Sequence, residues 1–191
     1  DVHLIAVADD LKPMTSTEVF EDNDHLVTAM TATPDGRYVL IADGSSWLAP
    51  ELDHRIGVIE VLTCTLLTPQ VLMPLPYDSP TTLVASPYNN AVLLLTAEAG
   101  DDGITYFAYD LSNSTTPFTY AGEVAYTHGR PQLPAGAVVI ERGGLTGRVL
   151  VSENVGVRQV QFLEGGTVVD VDLHSTGSGY QAIVGAIGVQ P

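Results

Sequence analysis

Short apolar runs rich in Val, Ile, Leu, Tyr and Thr alternate along this chain with clusters of Gly, Pro, Asn and Asp. A sustained 3.6-residue apolar period, which would indicate long amphipathic helices, is hard to find. The pattern therefore predicts short β-strands joined by tight turns. In the first full unit the predicted strands are 25–33, 38–42, 56–62 and 70–75. Pro34 begins a turn there, because proline presets φ and the Asp and Gly that follow it suit the bend.

The same order of strands and turns recurs twice more. The second unit has predicted strands at 82–86, 92–96, 104–109 and 119–124, and the third at 137–141, 148–152, 157–163 and 167–172. An acidic residue follows the second strand of each unit, at positions 43, 98 and 153, and successive positions are 55 residues apart. Self-similarity at this period indicates a propeller or a solenoid.

Four strands in each repeat of this length are typical of β-propeller blades. The sequence therefore predicts an all-β fold, a partial β-propeller within a single domain or a fragment of one. The predicted complete blades are 25–76, 80–127 and 132–174, with partial blades at 1–24 and 178–191.

An open row of blades leaves two apolar faces exposed, because each blade packs on both of its neighbours. Three arrangements would cover these faces. We favour completion by another segment of a longer polypeptide. In the second arrangement, two copies of the chain close a ring together. In the third, the termini meet and the chain forms a small four-bladed ring. The first residue, Asp1, fits a processed chain or a piece of a longer one.

Composition narrows the possible partners. The net charge is −16, from 23 acidic and 7 basic residues, so phosphate backbones and anionic membranes are repelled. Apolar residues make up 45% of the chain, which excludes a disordered one, and no apolar run reaches the roughly 18 residues of a membrane span. Cys64 is the only cysteine, so an intrachain disulfide is impossible. Low Cys and Lys content is typical of exported bacterial proteins, and we expect a periplasmic or secreted location.

Three segments resemble the YVTN repeat, in which a strand ends in a polar, acidic, glycine-containing turn and a valine-rich strand follows. They are RVLVSENVGVRQVQF at 148–162, YVLIADG at 38–44, and the pair 93–98 and 103–109. The chain thus resembles the superfamily of YVTN-repeat and lactonase-like β-propellers. This resemblance implies a propeller of the kind that is usually seven-bladed and often exported. The chain departs from the pattern in its longer blades and in lacking the tetrapeptide itself.

The aligned acids predict a candidate cation site. Asp43, Glu98 and Glu153 begin equivalent loops, and equivalent positions in a propeller lie on one face at similar distances from its axis. Such an acidic ring could bind Ca²⁺, which prefers six to eight oxygen ligands. The alternative is that each acid merely caps its hairpin by accepting backbone N–H groups. Asp170 and Asp172 alternate on a strand, and both are predicted to face solvent.

His25 and His128 each precede the first strand of a blade, where propeller loops face the channel. With Arg130 and the acids Glu98 and Glu153 nearby, such a set could polarise and hydrolyse a lactone, as the resemblance implies. Satisfied or surface histidines are the alternative, and no Gly-x-Ser-x-Gly nucleophile elbow occurs.

Trp47, the only tryptophan, lies in the predicted loop 43–55 and either anchors a partner or covers its own blade. The leading functional prediction is an extracytoplasmic binding scaffold, with a possible cation in its acidic channel. The alternatives are a lactonase-like hydrolase with its active site on the channel face, and an assembly role that uses the open blade edges.

Overall fold

The computed structural model describes residues 2–7, 13–20, 25–45, 55–63, 65–72, 80–96, 102–113 and 117–175. Every regular element in these ranges is a β-strand. The strands are β1 (Val2–Val7), β2 (Pro13–Phe20), β3 (His25–Ala32), β4 (Tyr38–Ser45), β5 (Arg55–Glu60), β6 (Thr65–Leu72), β7 (Pro80–Ala85), β8 (Ala91–Thr96), β9 (Gly103–Tyr109), β10 (Phe118–Glu123), β11 (Gly136–Val139), β12 (Arg148–Glu153), β13 (Gly156–Phe162) and β14 (Val168–Ser175).

Twelve of these strands form three four-stranded antiparallel meanders. They are the first sheet (β3-β4-β5-β6), the second sheet (β7-β8-β9-β10) and the third sheet (β11-β12-β13-β14), and β1 pairs with β2 in a separate ribbon. The first strand of the second sheet, β7, packs beside both β3 and β11. The hydroxyl of Thr81 on β7 also donates to the carbonyl oxygen of Pro134, just before β11, at 2.7 Å. The first strands therefore lie side by side, as the inner strands of propeller blades do.

The core consists of two apolar layers, one on each side of the second sheet. Strand β8 reads Ala-Val-Leu-Leu-Leu-Thr and is buried throughout, because it is covered on both faces. Val92 and Leu94 pack toward Leu40 and Val58 of the first sheet. Leu93 and Leu95, on the opposite face, belong to the layer shared with the third sheet, which includes Val149, Val151, Val160 and Phe162.

The all-β, partial-propeller prediction is confirmed. Several predicted boundaries were wrong. Strand β4 continues to Ser45 by pairing with both β3 and β5, so Asp43 lies within a strand and does not begin a loop. Strand β6 begins at Thr65, earlier than predicted, since the β5–β6 turn is a tight one at 61–63. Residues 178–191 lie outside the described ranges. No helix in the described part of the chain is long and apolar enough to cross a membrane.

Candidate functional site

The segment 124–135, here called the rim loop, connects the second sheet to the third. Its sequence cannot continue a strand, because Pro131 and Pro134 lack the N–H that a ladder needs. Gly129 at φ +80° and Leu133 at φ +48° turn its backbone through the left-handed region. In an antiparallel meander this loop lies at the same end of the third sheet as the β12–β13 hairpin. It crosses directly over a cluster of buried charges.

Arg158 is the centre of that cluster. It is the third residue of β13, and strand alternation places it on the same face as Val160 and Phe162, the face covered by the second sheet. Its side chain has no exposed surface. The guanidinium forms a close ion pair with Glu153, the last residue of β12, which is also fully buried. A buried arginine needs such partners, because an unpaired charge in an apolar setting is very costly.

The second carboxylate partner is Asp170 of β14. Arg158 Nη1 donates to Asp170 Oδ2 at 3.0 Å, and Nη2 donates to the carbonyl oxygen of Gly129 in the rim loop at 3.0 Å. The guanidinium carbon also lies 5.6 Å from the ring centre of Tyr126. Burial lowers the pKa of Arg158, but hydrogen bonding to Glu153 and the two negative charges more than offset this, and its pKa is raised.

A β-bulge decides the direction of Asp170. Val160 pairs with Asp170 while the adjacent Gln159 pairs with Asp172, which leaves Val171 as the extra residue. Val160 is buried and Gln159 is not, so their respective partners, Asp170 and Asp172, also lie on opposite faces of the third sheet. The prediction that Asp170 and Asp172 share the solvent face was therefore wrong. The side chain of Asp170 is fully buried, whereas that of Asp172 is 46% exposed.

Backbone donors of the rim loop hydrogen-bond to one oxygen of Asp170. Its Oδ2 accepts the N–H groups of Thr127 at 2.8 Å and His128 at 3.0 Å. Burial raises the pKa of this carboxyl, but these two N–H groups and the Arg158 charge favour the ionised form, and the pKa is lowered. The other oxygen, Oδ1, is buried and has no partner among the described residues.

Further hydrogen bonds fix the distal half of the rim loop. Glu153 Oε2 accepts from the N–H of Gln132 at 3.2 Å, and Asp102 Oδ2 accepts from the N–H of Leu133 at 2.7 Å. Arg130 Nε donates to the carbonyl oxygen of Asp102 at 2.9 Å, and its Nη2 donates to Glu123 at 3.2 Å. The loop is therefore held along its length by groups from both adjoining sheets.

The exposed side chains of this anchored loop include His128, Arg130 and Leu133. The His128 side chain is 37% exposed, the Arg130 side chain 57%, and Leu133 48%. His128 Nδ1 lies 3.2 Å from Asp170 Oδ2 and 3.0 Å from the Thr127 hydroxyl, and its Nε2 has no partner in the described part of the chain. The surface thus combines an imidazole, a guanidinium and an apolar side chain.

The structure brings together three of the predicted site residues, His128, Arg130 and Glu153, around the rim loop. The Glu153 carboxylate is engaged by Arg158, so it does not offer the free oxygens that the proposed acidic ring requires. No group of three His, Cys, Asp or Glu side chains within the described residues is placed to hold a metal ion. Calcium binding stays a prediction.

The other predicted residues contribute no side-chain geometry. Asp43 pairs through its backbone with Val27 and Arg55, and His25 begins β3, but their side chains lie outside the described ones. Glu98 and Trp47 lie outside the described residues altogether.

Sequence reasoning missed Arg158, Asp170 and Asp102, which do most of the anchoring. A signal for Arg158 was present, because it alternates with Val160 and Phe162 and therefore had to share their buried face. For Asp170 no such signal existed, since simple alternation predicts the face that the bulge reverses.

Comparisons with known proteins identify the fold of this chain but not a family to which it belongs. No protein-family model matches the chain, and the search of curated proteins gave no significant match. Similar solved structures include a protein from Lactobacillus plantarum (17% identity, TM-score 0.60), which matches over 91% of this chain and 51% of its own length. A gluconolactonase from Xanthomonas campestris matches at 18% identity and TM-score 0.52, over 89% of this chain and 54% of the enzyme.

A third similar structure is the Cps50 (Swd1) β-propeller domain from Myceliophteria thermophila, at 15% identity and TM-score 0.53, over 82% of this chain and 46% of that one. The chain therefore has the fold of a β-propeller and spans about half the length of these structures. At these identities the likeness concerns the fold alone.

Proposed function

We propose that this chain is a propeller segment whose rim loop is a pre-formed binding surface. The observation that carries the proposal is the buried Glu153–Arg158–Asp170 cluster, which hydrogen-bonds the loop backbone at four residues, Thr127, His128, Gly129 and Gln132. A loop fixed before binding loses little conformational entropy when a ligand arrives, which favours affinity.

The chemistry of the surface indicates the kind of ligand. Arg130 presents guanidinium donors on a protein of net charge −16, His128 presents the accessible Nε2 of its imidazole, and Leu133 adds an apolar contact beside them. Arginine is enriched among the residues that carry most of the binding energy of protein interfaces. We infer a partner that presents a carboxylate or another oxygen-rich group next to an apolar one. In keeping with the sequence prediction, we propose that this partner is met outside the cytoplasm.

Two matched substitutions test the binding role. Arg130→Gln and Leu133→Ala each remove an exposed side chain from the rim loop. Leu145→Ala is the control: Leu145 is 55% exposed, against 48% for Leu133, but it lies in the β11–β12 turn at the opposite end of the third sheet. Partners cross-linked to the protein in its native host are then quantified by mass spectrometry. We expect the two rim variants to lose a partner that Leu145→Ala retains. Equal retention by all three variants would overturn the proposal.

A second candidate function is lactone hydrolysis, and the His128–Asp170 contact favours it. Asp170 holds Nδ1 of His128, which leaves Nε2 able to accept a proton from an attacking water. Arg130 would polarise the lactone carbonyl. The gluconolactonase among the similar structures makes glucono-1,5-lactone the reasonable first substrate.

The hydrolytic role is tested by acid release from glucono-1,5-lactone. If His128 is the base, His128→Gln lowers the rate by about 100-fold or more while the far-ultraviolet circular dichroism is unchanged. If the wild type releases acid no faster than buffer does, hydrolysis of this lactone is excluded. Selective partner loss in the rim variants would then support binding as the function of the rim loop.

A further inference from the structure

A cleft of about 430 Å³ lies at the opposite end of the sheets from the rim loop. Its walls are three turns: the β3–β4 turn at 33–38, the β7–β8 turn at 87–90, and the β9–β10 turn at 109–112. It therefore lies at the junction of the first and second sheets. The volume falls within the range of small-ligand pockets.

The equivalent junction between the second and third sheets is filled by the protein itself. There the β7–β8 turn inserts Tyr88 and Asn89 against the third sheet. The Tyr88 hydroxyl donates to the carbonyl oxygen of Thr146 in a close hydrogen bond, and Asn89 Nδ2 donates to the carbonyl oxygens of Leu163 and Glu164 at 3.3 and 3.2 Å. An aromatic ring and a neighbouring hydrogen-bond donor therefore complete this junction.

The β3–β4 turn reads Thr33-Pro34-Asp35-Gly36 and the β7–β8 turn reads Ser86-Pro87-Tyr88-Asn89, so Asp35 and Gly36 stand after the turn proline where the second sheet has Tyr88 and Asn89. Gly36 has no side chain, and its φ of +69° suits the turn. The Asp35 carboxylate bends back on its own turn, where it accepts from the Thr33 hydroxyl at 2.6 Å and from the N–H of Arg37 at 3.0 Å. No side chain crosses to the second sheet from these two positions, and the cleft occupies the place of the missing pair.

Polar groups without partners line the empty junction. Tyr109 is only 7% exposed and borders the cleft, and neither its hydroxyl nor that of Tyr38 has a hydrogen-bond partner within the described residues. Oδ1 of Asn89, another residue of the cleft lining, is buried and has no partner in the described part of the chain, whereas buried polar atoms are usually paired. Burial raises the pKa of Tyr109, and the nearby charge of Asp35 raises it further.

The charge of the cleft is negative. Hydrogen bonds from Thr33 and the N–H of Arg37 lower the pKa of Asp35, and those from the hydroxyl and N–H of Ser112 lower the pKa of Asp110, so both acids are ionised at neutral pH. The single cation of the lining, Arg37, lies 5.1 Å over the Tyr38 ring and 3.9 Å from Glu60. An incoming cation would therefore be attracted.

We propose that this cleft is a binding site for an aromatic ring that carries a neighbouring positive charge. The ring occupies the place that Tyr88 fills in the next junction, between Tyr38 and Tyr109, and the cation meets Asp35 and Asp110. A small aromatic amine and a peptide with adjacent aromatic and cationic side chains share this chemistry. The site is separate from the rim loop and does not depend on its function.

The test uses tyramine, 4-ethylphenol and a blocked Tyr-Lys dipeptide as probes of the ¹⁵N-labelled full chain. We expect tyramine at about 10 mM to shift the backbone amide signals of the three cleft turns and not those of the rim loop, with millimolar affinity. The uncharged 4-ethylphenol should bind about tenfold more weakly, because it lacks the charge-assisted contacts. A dipeptide that binds more tightly than tyramine identifies a peptide as the ligand, and one that binds more weakly identifies a free amine.

Two variants make the outcome decisive. Asp35→Tyr combined with Gly36→Asn copies the turn of the second sheet and should abolish binding by filling the cleft. If that variant does not fold, Asp110→Asn serves instead, since its amide oxygen can still accept from Ser112 while the charge is removed. We expect Asp110→Asn to weaken tyramine about tenfold and to leave 4-ethylphenol unchanged. Absence of any shift at the cleft turns, or equal binding of charged and uncharged probes, would overturn the proposal.

Discussion

Arg158 Nη1 and Asp170 Oδ2 meet at 3.0 Å between two side chains that are both fully buried. Through this contact the inner face of β13 is joined to the rim loop, because the same carboxylate oxygen accepts the N–H groups of Thr127 and His128. One arginine faces two acids, Glu153 and Asp170, and backbone N–H groups supply the remaining positive partial charge. The order of the loop therefore depends on the integrity of this cluster.

Replacing Arg158 by methionine should strongly destabilise the protein. The substitution keeps an unbranched chain of similar volume but leaves two buried carboxylates without their cation. Breaking a buried ion pair in this way costs about 3–5 kcal/mol. Urea unfolding of the purified chain measures the difference. Arg142→Gln is the matched control, because Arg142 is exposed on the β11–β12 turn, and it should cost less than about 0.5 kcal/mol.

Stability should fall in acid, in part through Asp170. The pKa of its carboxyl is lower in the folded protein than in the unfolded chain, where it is about 3.9. Its contribution is therefore complete above that value and is lost as the pH falls through the lower folded pKa. Thermal unfolding at a series of pH values below about 5 should show a smaller loss for Asp170→Asn than for the wild type. Parallel curves would contradict this role.

Alanine substitutions at two glycines distinguish the cost of steric crowding from that of backbone strain at the junction of the second and third sheets. Gly147 and Gly143 have φ values of +79° and +87°, so alanine is strained at both. A Cβ at Gly147 would collide with the Tyr88 ring and with the side-chain amide of Gln161, whereas one at Gly143 meets nothing within 4 Å.

Gly143→Ala should therefore cost about 1 kcal/mol, the ordinary cost of a left-handed alanine, and Gly147→Ala at least about 1 kcal/mol more. Chemical denaturation of both variants gives the comparison. Adding Tyr88→Ala to Gly147→Ala should recover part of the extra loss, and no recovery would show that the collision with the Tyr88 ring is not its cause.

Replacing a leucine by alanine on either face of β8 should strongly destabilise the folded protein. Leu94 faces the first sheet and Leu93 the third, and both are almost fully buried. Each Leu→Ala change should cost about 2–5 kcal/mol, because both faces of this strand lie in a packed core. An exposed leucine, Leu62 at 91%, provides the control and should cost less than about 0.5 kcal/mol as alanine. A small loss for only one of the two would show that the corresponding junction is loosely packed.

Much of the fold was predictable because its signals are local. Short apolar runs identified the strands, and Pro34 marked the first tight turn. The uniformly apolar β8 is itself the pattern of a strand covered on both faces. Of the candidate site, His128, Arg130 and Glu153 were predicted. The ion pair between Glu153 and Arg158 was not, because strand alternation shows that Arg158 lies on the buried face but not which acid it meets there.

By itself, the sequence determined the all-β class, the repeat period and the four-stranded blade, since these depend on spacing along one strand and on turn-forming residues. Tertiary structure alone decided which acids meet the buried arginine and which junction between blades is open. A bulge at Val171 turned Asp170 inward, and Asp35–Gly36 left unfilled the space that Tyr88–Asn89 fills one blade later. The physical reason is that burial depends on the sheet opposite, and a shift of one residue in register reverses the face that meets it.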